Sequence, residues 1–218
     1  MLAALFSAIK KHIPYFITGG ILLVIFYAFS FLVKEDVFTR FDFNATVKIQ
    51  SRIPIRLDPH LSWFSLFGSF EITLIILIAL AAVRFVKKRF LSIFLVPVFG
   101  IMHVVEIIGK AFLDHPATPF MFHRYALDFF FPSGYVQPGG SYPSGHSMRT
   151  AYLVMLLYFL ISRTNFSKRL KYTYYFILTT LYLLMIISRV SLGEHWTTDV
   201  IGGSLLGAAF AFFSLILL

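Results

Sequence analysis

The feature that most constrains this fold is a series of six long apolar stretches separated by polar segments. A helix needs about 20 mostly apolar residues to cross a bilayer. The stretches are approximately Ile13–Val33, Leu61–Val83, Phe90–Phe112, Ser147–Ile161, Tyr172–Ile187 and Asp199–Leu218. The fourth and fifth are short, and we expect their ends to continue into the adjoining polar residues. Since 58% of the 218 residues are apolar and 13% are charged, we predict an all-α integral membrane protein, a six-transmembrane-helix bundle forming one domain over residues 1–218.

The net charge of +9 indicates a membrane protein rather than a partner of nucleic acid, because the basic residues lie in short clusters between the apolar stretches. One set comprises Lys10, Lys11, Arg84, Lys87, Lys88, Arg89, Arg163, Lys168, Arg169 and Lys171. The other comprises Lys34, Arg40, Lys48, Arg52, Arg56, Lys110, Arg124 and Arg189. We place the first, denser set in the cytoplasm together with both termini, although the first loop on the other side carries five basic residues. The second set then faces the extracytoplasmic side.

A polar segment at residues 188–199 gathers an arginine, a histidine and an aspartate between two apolar stretches. His195 and Asp199 are four residues apart, so they would share one face of a helix. Asp199 would accept the Nδ1 hydrogen of the imidazole and leave Nε2 free to attack. Arg189 offers a planar fork of donors suited to phosphate oxygens. Taken alone, the segment favours a polar loop that happens to contain a histidine.

A second segment, Pro143–His146, contains the other histidine of interest. Proline fixes a turn, and glycine permits conformations that other residues avoid. Ser144 and the amides around Gly145 could bind an anion at the start of the following helix, with His146 beside it. Alone, this is compatible with a simple helix-initiating turn. Together, the two segments predict a phosphate site with two histidines.

The sequences of these two segments resemble the type 2 phosphatidic acid phosphatase family, whose superfamily also contains vanadium haloperoxidases and glucose-6-phosphatase. The matching residues are Pro143-Ser144-Gly145-His146 and Ser188-Arg189, five residues, His195, three residues, Asp199. The resemblance covers roughly residues 100–218. It implies that His195, held by Asp199, attacks phosphorus to form a phosphohistidine, and that His146 protonates the departing oxygen. It also implies a phosphate-binding set consisting of Lys110, Ser144, Gly145 and Arg189.

The family's first motif is incomplete in this chain. That motif is a lysine, six residues, then Arg-Pro. Lys110 is present, but Ala117 and Thr118 occupy the Arg-Pro positions. We predict that Arg124 supplies the missing phosphate contact, with Arg149 as the rival candidate. If neither does, Lys110 and Arg189 would be the only strong cations, and activity could be weak or specificity unusual.

The predicted activity is that of a membrane lipid phosphatase acting on a lipid phosphate monoester or pyrophosphate. Undecaprenyl pyrophosphate, phosphatidylglycerol phosphate, phosphatidic acid and phosphorylated lipid A are all compatible. We expect no cofactor and no metal, because side chains supply the cations and the paired carboxylates that Mg²⁺ prefers are absent. The predicted partners are the bilayer and the lipid substrate. Two alternatives stay open: a lipid phosphotransferase on the same scaffold, and a non-catalytic lipid-binding or transport protein.

Three further expectations concern local structure. The segment from Lys34 to His60 forms either an amphipathic surface helix, ended by Pro54 and Pro59, or a simple linker. Glu106 pairs with Lys110 four residues later, while His103 is a packed or hydrogen-bonded helix residue. Residues 113–142 form a long aromatic cover in the membrane interface, including Phe120, Phe122, Tyr125, Phe129, Phe130, Phe131 and Tyr135.

Overall fold

The structure is a computed structural model that describes residues 2–129, 131–132 and 140–218. These residues contain eight α-helices and no strand. The helices are α1 (Leu2–Lys34), α2 (Thr39–Arg52), α3 (Asp58–Leu66), α4 (Phe70–Val86), α5 (Leu95–Phe112), α6 (Gly145–Ser162), α7 (Lys168–Ser191) and α8 (Thr197–Ser214). Short 3-10 helices occupy Ile55–Leu57, Phe90–Phe94, Phe120–Phe122 and Leu215–Leu217. The all-α prediction is confirmed.

Four segments within the described residues are long and apolar enough to cross a membrane: His12–Lys34, Phe90–Phe112, Lys168–Ser191 and Thr197–Leu217. The pair α3 and α4, bent by 42°, gives a fifth span if it is counted as one. Helix α6 occupies the fourth predicted stretch and begins with polar motif residues. The chain is therefore an integral membrane helix bundle, and a total of six spans stays a prediction.

The second predicted stretch is wrong as a single helix, because it is divided between α3 and α4 at residues 67–69. The break lies against the start of α6. A Cβ placed on Gly68 would be 2.9 Å from the Cβ of His146. The Gly68 carbonyl accepts a 2.8 Å hydrogen bond from Arg149 Nε. Apolar length indicates that a segment lies in the membrane, but it does not reveal where a buried arginine on another helix needs a backbone acceptor.

The linker alternative for the first loop is wrong, because this loop folds as α2 and α3. As predicted, α2 ends before Pro54. Pro59 does not end a helix. It lies in the first turn of α3, where its missing N–H would have no intrahelical acceptor. Helix α2 buries the polar residues Asp42 and Thr46, while Phe41, Phe43 and Val47 are exposed. Its exposed surface thus combines these apolar side chains with the basic Arg40, Lys48 and Arg52, as suits a helix on a membrane surface.

Helix α8 lies at the centre of the bundle and packs against both α6 and α1. Small residues permit this close approach: a Cβ on Gly203 would overlap the Ser144 carbonyl, and one on Gly207 would overlap the Met148 carbonyl. The ring of buried Tyr142 lies against Gly202, and its hydroxyl is 2.7 Å from Ser30 Oγ on α1. The first turns of α6 and α8 are consequently held side by side.

Candidate active site

The polar segment at residues 188–199, which we call the third motif, spans the end of α7, the turn that follows it and the first turn of α8. Gly193 has φ +66, and a Cβ there would overlap the Phe122 carbonyl, so glycine is required on both counts. Asp199 is the third residue of α8, and its Oδ2 accepts the Trp196 N–H at 2.9 Å and lies 3.2 Å from His195 Nδ1. The expected contact forms, although His195 precedes the helix. An aspartate in the first turn reaches back to the residues before it, so the helix-face explanation is wrong.

The contact with Asp199 defines the chemical state of His195. Since the carboxylate accepts, Nδ1 carries the hydrogen and Nε2 is the free nitrogen of the neutral ring. Burial lowers the pKa of His195, and the hydrogen bond to Asp199 opposes this shift without overcoming it. A neutral imidazole with a free Nε2 is the form that can attack phosphorus.

Sequence reasoning missed the second histidine that binds Asp199. Asp199 Oδ1 is 2.9 Å from Nδ1 of His115, which lies 84 residues earlier in the chain. Both carboxylate oxygens are therefore engaged, and Asp199 is completely buried. The only sequence signal was the position of His115 inside the incomplete first motif, five residues after Lys110.

The segment Pro143–His146, which we call the second motif, leads into the first turn of α6. Ser144 caps the helix: its Oγ accepts from Ser147 N at 3.5 Å and lies 3.1 Å from Ser147 Oγ. Its own N–H donates to the Asp199 carbonyl at 3.0 Å and so joins the two motifs. The first amides of α6, at Gly145 and His146, lie at the positive end of the helix dipole. The Ser144 hydroxyl is occupied by capping, so the helix start itself is the better candidate for anion binding.

His146 is oriented by Arg149 from one turn along α6. Arg149 Nη2 lies 3.4 Å from His146 Nδ1. An arginine has no acceptor, so Nδ1 accepts and the ring hydrogen resides on Nε2. The charges of Arg189, Arg149, His195 and Lys110 all act on His146, which places these groups in one cluster.

Glu106 holds two of the cations of this cluster. Its Oε1 is 3.0 Å from Lys110 Nζ, which confirms the predicted pair, and its Oε2 is 3.6 Å from Arg149 Nη1. His103 donates from Nδ1 to the Phe99 carbonyl at 2.7 Å, so its prediction as a hydrogen-bonded helix residue is also confirmed. A Cβ on Gly145 would overlap the Glu106 carboxylate. Glycine is therefore needed at the start of α6 for this close packing.

Arg189 is buried at the end of α7 and contacts Ser65 Oγ and the Glu194 carboxylate through Nη1. Its charge acts on both His146 and His195. Arg189 therefore lies in the predicted cluster, with Glu194 balancing its charge.

The prediction that Arg124 replaces the missing arginine needs correction. Its guanidinium makes two hydrogen bonds to the Asp58 carboxylate, at 2.9 and 2.8 Å, and also donates to the carbonyls of Gln50 and Ile53. These contacts tie the loop after α5 to the α2–α3 junction. Arg149, the rival, is the one beside His146. Sequence distance from Lys110 did not reveal which way the loop runs.

The residues of the incomplete motif serve the fold. The hydroxyl of Thr118 donates to the Gly193 carbonyl, and Trp196 Nε1 donates to the Pro116 carbonyl at 2.9 Å. Of the predicted aromatic cover, Phe120 is highly exposed and Phe122 is buried. Phe130 and Tyr135 lie outside the described residues.

Asp42 of α2 is a further residue that sequence reasoning missed. Its Oδ1 accepts the Thr198 N–H at 2.9 Å, and its Oδ2 accepts the Thr198 hydroxyl at 2.5 Å. Burial raises the pKa of Asp42, opposed by these hydrogen bonds. A carboxylate thus caps the first turn of α8 from a helix 156 residues away in sequence.

Within residues 2–129, 131–132 and 140–218, no group of three or more His, Asp or Glu side chains is placed to hold a metal ion. That the chemistry needs no metal stays a prediction.

With this geometry established, comparison with known proteins defines the family. Residues 73–218 match the model of the PAP2 superfamily, the type 2 phosphatidic acid phosphatases. The chain belongs to the PAP2 superfamily. The matched region runs from α4 to α8 and contains both histidine motifs, so the resemblance seen in sequence is confirmed. Asp42 lies outside it.

One named protein and two solved structures are similar to this chain. The chain is 31% identical over 141 residues to phosphatidylglycerophosphatase B of Bacillus subtilis (strain 168), and the match spans 64% of each protein. A crystal structure of a transmembrane PAP2 type phosphatidylglycerolphosphate phosphatase from Bacillus subtilis superposes with a TM-score of 0.73. It has 23% identity and covers 90% of this chain and 93% of that one. Aquifex aeolicus LpxE gives a TM-score of 0.58 at 20% identity, over 80% and 94% of the chains. These two structural matches show a shared fold.

Proposed function

We propose that this PAP2 chain is a membrane lipid phosphatase that releases phosphate from a lipid phosphate monoester or diphosphate. The observation that carries this proposal is the state of His195: a neutral ring, held at Nδ1 by Asp199, with Nε2 free. His146 and three cations share the same cluster. A buried cluster of this charge favours a substrate group with two or more negative charges.

In the first step, His195 Nε2 attacks phosphorus. The new P–N bond forms as the bond to the lipid oxygen breaks, and that oxygen keeps the electron pair. His146, which takes up a second proton together with the anionic substrate, donates its Nε2 hydrogen to the departing oxygen and is left as a neutral ring. Asp199 stabilises the positive charge that develops on the His195 ring. Lys110 and Arg189 offset the charge on the phosphoryl oxygens.

In the second step, water attacks the phosphohistidine. His146, which now lacks its Nε2 hydrogen, accepts a proton from that water. The P–N bond breaks, phosphate leaves, and His195 returns to its neutral form. The starting protonation state of both histidines is restored, so the cycle balances.

Phosphatidylglycerol phosphate is the substrate we propose to test first, because the curated relative is named a phosphatidylglycerophosphatase. The site lies among helix ends rather than at mid-bundle, since it is built from the ends of α5 and α7 and the starts of α6 and α8. A phosphorylated headgroup could therefore enter while the acyl chains stay in the bilayer. Phosphatidic acid, undecaprenyl pyrophosphate and phosphorylated lipid A complete the panel.

We further propose that both termini are cytoplasmic and that the site opens on the extracytoplasmic side. The opposite end of the bundle, where α4 and α6 end and α7 begins, carries Arg84, Lys87, Lys88, Arg89, Arg163, Lys168, Arg169 and Lys171. Such a concentration of basic residues in short loops is typical of the cytoplasmic side. A chain forming one membrane domain with six spans would return to the side where it began.

The experiment is phosphate release by the purified full-length protein across this lipid panel, with His195→Ala as the matched control. Turnover of at least one lipid by the wild type and none by the variant is expected. Transfer of the phosphoryl group to an added acceptor hydroxyl, without free phosphate, would instead indicate a phosphotransferase. Absence of turnover on every lipid would contradict an enzymatic role and favour lipid binding.

A further inference from the structure

We propose that His115 is a positioning residue for the nucleophile: it binds the second oxygen of Asp199 and sets how strongly that carboxylate acts on His195. The proposal rests on the lipid phosphatase function and names a residue that the family motifs do not include. It follows from the placement of two histidine rings on one buried carboxylate.

The backbone around His115 holds its ring in place. Helix α5 ends at Phe112, and the chain reverses through Asp114, which has φ +32. The His115 carbonyl then accepts the Ser141 N–H at 3.0 Å, and Ser141 Oγ lies 3.1 Å from His115 Nδ1. The segment that precedes the second motif thus holds His115 through its carbonyl, and Ser141 Oγ and Asp199 Oδ1 both lie at the same ring nitrogen.

The two contacts immobilise Asp199. One oxygen receives Trp196 N–H and His195 Nδ1–H, and the other receives His115 Nδ1–H. A carboxylate bound at both oxygens has little freedom to rotate, so the direction of its hydrogen bond to His195 is fixed. That direction determines where His195 Nε2 points.

The charge of His115 is the second way in which this residue acts on Asp199. His115 contacts Asp199 on α8, and the charges of Asp42 on α2 and Asp36 in the turn before α2 also act on it. It also lines a cavity of about 310 Å³ together with Lys110 and Asp114. Burial alone would lower the pKa of His115, but the hydrogen bond to Asp199 and the acidic groups raise it above its ordinary value. In its protonated form, which this raised pKa favours, His115 shares the negative charge of Asp199.

Charge sharing keeps the nucleophile reactive. A fully unshared Asp199 would attract a proton to His195 Nε2 and block its attack. With His115 protonated, that attraction is weaker and His195 stays neutral to lower pH. Replacing His115 should consequently move the acid limb of the activity profile to higher pH.

The test compares His115→Asn and His115→Ala with wild type. Asparagine places an amide N–H close to the position of Nδ1 but carries no charge. We expect kcat to fall about 10-fold in His115→Ala and less in His115→Asn, with KM little changed. In both variants the acid limb of kcat/KM should move to higher pH. His60→Asn, an exposed histidine on α3, is the control and should match wild type.

Carbethoxylation of His195 by diethyl pyrocarbonate, followed by peptide mass spectrometry across pH, gives a readout that needs no turnover. His195 should begin to react at higher pH in the His115 variants than in wild type. An unshifted reaction profile and an unshifted acid limb in a folded His115→Asn protein would overturn the proposal. If the wild type releases phosphate and the His115 variants have the same kcat and pH profile, only the role of His115 is contradicted. If the wild type is inactive, the phosphatase function is contradicted, and the carbethoxylation profile alone tests the role of His115.

Discussion

Replacement of Arg149 tests how the general acid is prepared. Arg149 is buried, donates from Nε to the Gly68 carbonyl at 2.8 Å, and places Nη2 3.4 Å from His146 Nδ1. In Arg149→Ala the donor facing Nδ1 is lost. His146 can then carry its hydrogen on Nδ1, where it is directed away from the leaving oxygen. Arg149→Lys keeps the charge but cannot reach both Gly68 and His146 in the manner of a planar guanidinium.

The expected loss of kcat follows from the rate enhancement that proton transfer to the leaving oxygen contributes. General acid catalysis supplies about 10²–10⁴-fold, and a misoriented acid forfeits part of it. We expect Arg149→Ala to lower kcat on a lipid phosphate by about 10- to 100-fold, which corresponds to ~1.4–2.7 kcal/mol. Arg149→Lys should recover only a minor share, because its charge remains but the orienting donor does not.

The assay exploits the leaving group. A lipid alkoxide needs a proton as it departs, whereas the p-nitrophenolate of p-nitrophenyl phosphate needs none at neutral pH. The loss in Arg149→Ala should therefore be large on the lipid and small on the aryl phosphate. Arg163→Ala, an exposed arginine at the opposite end of the bundle, should be near neutral on both. Equal losses on the two substrates would refute an orienting role and leave Arg149 as a cation that acts on the phosphate. No loss on either would remove Arg149 from the site.

Four other outcomes are expected. Arg124→Ala should leave Asp58 buried and unpaired, which lowers the free energy of unfolding by about 3 kcal/mol and lowers the melting temperature in detergent. The kcat per folded molecule should change little. A large loss of kcat at unchanged stability would instead place Arg124 in the active site. Phosphate release should persist in EDTA, and a loss that Mg²⁺ reverses would contradict metal-free chemistry. A cysteine at exposed Ser51 should react with an impermeant thiol reagent outside intact cells and one at exposed Ser167 should not, and the reverse labelling would invert the orientation. The pKa of His115 is raised on folding. Its charged contact with Asp199 therefore stabilises the protein fully below the ordinary pKa of about 6.5, and this stabilisation is lost as pH rises through the raised value. The difference in melting temperature between wild type and His115→Asn should narrow with rising pH, and a difference that widens would contradict this.

Features that depend on neighbouring residues could be predicted from the sequence. The pair Glu106 and Lys110 forms because helical periodicity brings residues four apart onto one face. The helix-breaking effect of Pro54 and the capping role available to Ser144 are likewise local. The contact between His195 and Asp199 was also expected, although helix-cap geometry produces it instead of helix-face spacing.

The break between α3 and α4 shows where local inference fails. The apolar pattern through residues 61–83 is continuous, yet the helix is interrupted at Gly68, whose carbonyl binds Arg149 on α6. Hydropathy reports the average environment of a segment. It carries no information about the single backbone acceptor that a buried arginine on another helix requires.

By itself, the sequence determined the class of the protein: an apolar helical chain for the membrane, with two histidine motifs whose internal spacing specifies their chemistry. Only the tertiary structure decided which distant groups complete the site. His115 reaches Asp199 from 84 residues away, Asp42 caps α8 from 156 residues away, and Arg124 is paired with Asp58 66 residues away. The physical reason is that helix periodicity acts over one or two turns, whereas these contacts depend on the path of the loops and on how closely α6 and α8 pack. In each of these contacts a buried carboxylate needs hydrogen-bond donors. The linear sequence does not show which donors lie within reach of it.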